Sequence, residues 1–118
     1  MIYKIVSAQQ WEEAEAAQVF SGAAIDLTDG YIHFSTASQV KETAEKHFSG
    51  QMGLLLVTVD SDALGKDLRW EQSRGGALFP HLYGTLSFEN VESVVDLPIG
   101  KNGNHLFPDE LELSLIHI

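Results

Sequence analysis

Hydrophobic and polar positions alternate and recur along this chain in a pattern that lays out most of its elements. Met1–Val6, MIYKIV, is rich in β-formers and predicts an opening strand. Ser7-Ala8-Gln9-Gln10 has capping-box spacing, with Ser7 as N-cap and Gln10 three residues on. A helix follows, with Trp11, Ala14 and Gln18 along one face and Glu12, Glu13 and Glu15 solvated near the positive end of its dipole. Ser21-Gly22 and Thr28-Asp29-Gly30 read as turns. Tyr31–Ser35, YIHFS, alternates, so Tyr31, His33 and Ser35 share one face of a strand and Ile32 and Phe34 the other.

Thr36-Ala37-Ser38-Gln39 is a second capping box. It opens a helix whose apolar positions Ala37, Val40, Ala44 and Phe48 step by three and four, with Glu42 and Lys46 at ion-pair spacing and Gly50 as a stop. Leu54–Val59, LLLVTV, predicts a strand buried on both faces. Asp60–Lys66 reads as a turn, and Leu68–Gln72 as a strand leading into the Gly75-Gly76 loop. Pro80 makes Leu78–Leu86 an extended edge or connecting segment. Val91–Leu97 is a further strand, followed by the loop-like PIGKNGNHLFP. Residues 112–118 are either a terminal strand or an expression-derived tail.

Two short helices among strands predict an α+β fold, a single small domain over residues 1–118 with a mixed or largely antiparallel sheet. The 118 residues suffice for one modest core. No apolar run reaches the ~20 residues that span a bilayer, and no export signal opens the chain, so the expected setting is cytoplasmic and away from membranes. Zero cysteines exclude disulfides, thiolate metal sites and a cysteine nucleophile. A net charge of −10 argues against non-specific nucleic-acid binding but leaves room for a local anion site, because contact geometry outweighs a screened field at short range.

Against that acidic background one window stands apart. RWEQSRGGALFPHLYG, residues 69–84, holds both arginines of the chain, Arg69 and Arg74, together with Trp70, Gly75, Gly76 and His81. Arginine supplies planar, always-charged donors for phosphate or carboxylate, and glycines let backbone approach a ligand. The alternative is a surface pair of Arg69 with Glu71 beside a hairpin, worth under about 1 kcal/mol. Phe79, His81 and Tyr83 share a face if extended, suited to stacking on a planar ring or to ordinary core packing. His33-Phe34-Ser35 is a His-x-Ser element able to grip a phosphate or ribose, or else a half-buried strand histidine beside a helix cap. Two-histidine phosphoesterases pair two His-x-[Ser/Thr] elements, whereas residues 81–83 read His-Leu-Tyr. Phosphate-loop, dinucleotide and nucleophile-elbow motifs are absent, and the five histidines show no metal-ligand spacing.

DGYIHFSTASQ and RWEQSRGGALFPHLYG together resemble the motifs of domain-of-unknown-function family 952, over about residues 2 to 98. That family looks like a remote relative of the ADP-ribosyltransferase fold, whose members split NAD at the nicotinamide–ribose bond. The resemblance implies a cleft for a nucleotide-like or phosphate-bearing ligand, NAD or ADP-ribose, with an ADP-ribosyl or phosphate transferase as its catalytic version. His33, Glu71 and His81 are then the catalytic candidates. Tyr31, Ser35, Thr36, Arg69, Trp70, Arg74 and Tyr83 are the ligand-binding ones. NAD would be a substrate and no obligatory cofactor or metal is implied. A non-catalytic small-anion-binding module and a protein-interaction domain are the alternatives.

Overall fold

The computed structural model describes residues 1–73, 76–108 and 111. Arg74, Gly75 and the 112–118 tail, each singled out above, lie outside the described residues. Strand β1 (Ile2–Ser7) leads into helix α1 (Ala8–Ala17), and the short β2 (Val19–Phe20) and α2 (Ala24–Asp29) precede β3 (Ile32–His33). Helix α3 (Ala37–His47) connects to β4 (Leu54–Val59). Then come β5 (Leu68–Gln72), β6 (Leu78–Leu82), β7 (Leu86–Ser87) and β8 (Val91–Asp96), with 3-10 turns at Ser61–Asp67 and Phe88–Asn90.

Among the described residues every strand pairing is antiparallel, in sheets ordered β1-β4-β8, β2-β7 and β3-β6-β5, so the fold is α+β. Both capped helices form as their spacing requires. Ser7 Oγ accepts from the Gln10 amide at 3.1 Å, and Gln39 Oε1 accepts from the Thr36 amide at 3.0 Å. Trp11 and Ala14 bury one face of α1; Val40 and Ala44 bury one face of α3, while Lys46 meets Glu42 at 2.7 Å on the outside. Gln18 instead closes α1 in the left-handed region (φ 63) and stays exposed.

Strand β4 is central and covered on both faces. Leu54 and Leu56 pack with α3 and Tyr3, whereas Val57 and Val59 pack with Ile2, Val6, Trp11 and Phe20. Two expectations need correction. A third helix, α2, takes in Thr28 and Asp29, expected as part of a turn, while the turn expected over Asp60–Lys66 takes 3-10 form at Ser61–Asp67. Segment Leu78–Leu82 is the middle strand of its sheet rather than an edge, despite Pro80. The Pro80 carbonyl accepts from Phe34 at 3.0 Å, so the donor that proline lacks falls on the β3 side, where the β3 ladder has already ended at His33.

The chain leaving β3 crosses to the free edge of β1. Tyr3 and Ser35 exchange two backbone hydrogen bonds of 2.8 Å, and this one bridge stitches the two three-stranded sheets together. The candidate site lies at that seam. Among the described residues no helix is long and apolar enough to cross a membrane.

Candidate functional site at the seam of two sheets

Register places three basic side chains in one row. His33 on β3 faces His81 on β6, and His81 faces Arg69 on β5. Side chains alternate along a strand, so these residues share one face with Tyr31, Tyr83 and Glu71, while Trp70 points the other way. Strands lie about 4.8 Å apart, so the row spans roughly 10 Å. The rings pack on one another: Tyr31 stacks on His81 at 4.3 Å, and the His33 and His81 rings meet edge to face at 5.3 Å. Tyr83 lies 5.0 Å from Tyr31, and the Arg69 guanidinium covers the Tyr83 ring at 4.5 Å.

Each histidine is oriented by a carboxylate at Nδ1. His33 Nδ1 donates to Asp26 Oδ1 at 2.6 Å, and His81 Nδ1 donates to Glu71 Oε1 at 2.8 Å. Glu71 Oε1 also accepts from the Tyr83 hydroxyl at 2.8 Å. Such pairing fixes the ring's orientation and keeps a proton on Nδ1. The His81 hydrogen bond, then that of Tyr83, hold the Glu71 carboxyl below its ordinary range, and Glu71 in turn pushes the Tyr83 phenol up. His81 is buried, yet among the described residues nothing hydrogen-bonds its Nε2.

Asp26 is the buried node. Its side chain is 0% exposed, and it accepts from Lys4 Nζ at 2.9 Å, the Ala23 amide at 2.8 Å and the His33 amide at 3.1 Å. Burial pushes its carboxyl up, but the His33 hydrogen bond, the Lys4 charge and the Ala23 amide outweigh that and bring its pKa to about 2. Burial pulls Lys4 below the ordinary lysine value, against the opposing charge of Asp26. Because Lys4 belongs to the first sheet and His33 to the second, Asp26 clamps the seam from above. Gly22 makes room for it: at φ 120, a Cβ there would lie 2.7 Å from Asp26 Cβ.

Beside the row a pocket of about 330 Å³ opens between α3 and the seam. His33, His81, Ser35, Thr43, Lys4 and His47 belong to the polar part of its wall; Phe34 and Phe79 belong to the apolar part. The volume falls at the small end of the ~300–1,000 Å³ range of ligand pockets. A larger concavity of about 440 Å³ lies on the far side of α3, beside the Asn102–Phe107 loop and away from the row.

Of the residues singled out from sequence, the structure brings together Tyr31, His33, Arg69, Glu71, His81 and Tyr83. Ser35 lines the pocket with its hydroxyl against Thr43 at 3.1 Å. Thr36 serves the start of α3 and bonds Ser38, outside the row. Trp70 is 46% exposed on the opposite face of β5 and does not join. Asp26 and Lys4 were not picked out by sequence reasoning. A signal existed: Lys4 occupies an inward position between Ile2 and Val6 of an otherwise apolar strand, and a buried lysine needs a counter-charge.

A family model described as protein of unknown function (DUF952) matches residues 5–94. The crystal structure of protein CC0527 from Caulobacter crescentus is 47% identical, covers 94% of this chain and 97% of its own, and superposes with a TM-score of 0.89. The solution NMR structure of CC0527 gives 47% identity over 95% of this chain, with a TM-score of 0.84. No curated protein matches the chain.

Proposed function

Within the DUF952 family, to which this chain belongs, we propose that the protein binds a nucleotide-like, phosphate-bearing ligand of the NAD or ADP-ribose class at the seam. One observation carries the reading: His33, His81 and Arg69 form a basic row across three adjacent strands, and among the described residues nothing hydrogen-bonds Nε2 of the buried His81 at a pocket wall. The row offers donors to phosphate or ribose oxygens. The pocket, with Phe34 and Phe79 on its wall, suits the uncharged ring of such a ligand.

The catalytic version of this reading is an ADP-ribosyl transfer on an ADP-ribosyltransferase-like fold. The bond between the ribose anomeric carbon and the nicotinamide nitrogen breaks, and its electron pair leaves with nicotinamide. An acceptor oxygen then bonds the same carbon and gives its proton to His81 Nε2. Glu71 orients His81 through Oε1, and its Oε2, which has no hydrogen bond among the described residues, faces the positive charge that develops on the ribose. A non-catalytic module is favoured by a different observation: Tyr31 is stacked on His81 and Arg69 on Tyr83, which makes the row rigid before any ligand arrives.

Incubation of the protein with NAD, with nicotinamide release followed by chromatography and binding followed by calorimetry, separates the two. A transferase releases nicotinamide, and His81→Ala and Glu71→Gln stop the release. Saturable binding without product leaves the module. Neither binding nor release, with NAD or ADP-ribose, contradicts the reading.

A further inference from the structure

His33 is bonded at both ring nitrogens, and the two partners differ in kind. Asp26, at Nδ1, is buried and held by three other donors. Asp29, at Nε2, sits at the last position of α2 with its side chain 38% exposed, and its Oδ2 lies 3.0 Å from the ring nitrogen. Among the described residues Asp29 has no other hydrogen-bond or ion-pair partner. An exposed pair of this sort is worth at most about 1 kcal/mol. Nε2 is also the nitrogen through which His33 would hold an anion, because Nδ1 is committed to Asp26.

We propose that Asp29 is a built-in competitor for the anion site: its carboxylate occupies the Nε2 edge of His33, and a phosphate-bearing ligand binds the row by displacing it. The inference rests on the row being an anion site. A carboxylate and a phosphate present the same oxygen acceptor to one N–H, and the two anions repel when brought together. Release of Asp29 needs only a side-chain rotation into water, since its backbone position is fixed by the helix end, where the Gly30 amide donates to the Asp26 carbonyl at 2.8 Å. The observed affinity is therefore the intrinsic affinity reduced by the fraction of molecules with Asp29 released.

The test is a titration of inorganic phosphate into the wild-type protein, Asp29→Ala, Asp29→Asn and Glu12→Gln, followed by NMR at the amides of His33 and His81. Glu12 lies exposed on α1 and makes the same change in net charge. Asp29→Ala is expected to tighten binding roughly fivefold, the factor equivalent to about 1 kcal/mol, with Asp29→Asn between it and wild type. Glu12→Gln should stay within about twofold of wild type, as expected for a distant screened charge. Equal affinities for wild type and Asp29→Ala overturn the competition while leaving the anion site standing. An equal gain in Glu12→Gln overturns it too, since net charge alone would then suffice. Binding to none of the four proteins removes the anion site itself, and the competitor with it.

Discussion

Asp26 Oδ1 accepts two hydrogen bonds from one residue, from the His33 ring at 2.6 Å and from the His33 amide at 3.1 Å. A single oxygen thus sets both the backbone position and the ring orientation of His33. The other oxygen lies 2.9 Å from Lys4 on the neighbouring sheet. The seam between the sheets and the orientation of a candidate functional histidine depend on the same buried carboxylate.

Removing that charge should be expensive. Asp26→Asn keeps the shape but leaves the Lys4 ammonium buried without a counter-ion, a situation that costs about 3–5 kcal/mol. Urea denaturation at neutral pH measures it. A loss below about 1 kcal/mol would mean that Lys4 escapes to water and the clamp is not needed.

The same carboxylate predicts an acid limb. Its pKa is about 2 in the folded protein against an ordinary value of 3.8. A lowered folded value stabilises the fold fully above the unfolded value and loses that contribution as pH falls from about 4 towards 2. The loss should be about 2 kcal/mol. Relative to Asp26→Asn, wild-type stability should fall across that window. Parallel curves for the two proteins would rule out the lowered pKa.

Gly22→Ala is expected to destabilise by about 1–3 kcal/mol, through a left-handed backbone and a methyl pressed on Asp26. Thermal unfolding of the variant tests this. Nuclear Overhauser contacts of His33 should weaken in parallel, because the contact that fails is the one holding Asp26 over the seam.

The two faces of β5 predict opposite outcomes. Arg69→Gln should weaken phosphate binding roughly tenfold, the loss of one charge-assisted contact. Trp70→Ala should leave binding unchanged and stability within about 0.5 kcal/mol, since the ring is exposed on the other face. Calorimetric titration of both variants reads the pair. Loss of binding in Trp70→Ala would place the ligand on the wrong side of the sheet for this account.

Much of the fold is local in origin, and that part is legible in the sequence. The Ser7 box, the Val40–Ala44 stripe and the LLLVTV run each depend on residues a few positions apart. Helix α2 is not of that kind. Its N-cap, Ala23, offers no side-chain cap, and six residues of AIDLTD have little intrinsic reason to coil. What holds them is the descent of Asp26 onto Lys4 and His33, 22 positions before it and 7 after it in sequence. The site divides in the same way. Alternation alone put Tyr31 with His33 and His81 with Tyr83, but the pairing of His33 with His81 is a register between distant strands that no local spacing encodes. A structural histidine usually costs about 1–3 kcal/mol on truncation and a purely functional one almost nothing. His81 is buried, stacked on Tyr31 and bonded to Glu71, so truncation costs stability whether or not it meets a ligand. Stability alone cannot separate the two roles.

The central claim is that the His33–His81–Arg69 row accepts a phosphate-bearing ligand, and an NMR titration of the wild-type protein with ADP-ribose tests it most directly. The account predicts saturable shifts concentrated at residues 31–35, 69–71 and 79–83, abolished in His81→Ala. Shifts elsewhere, or none at these residues at millimolar ligand, would contradict it.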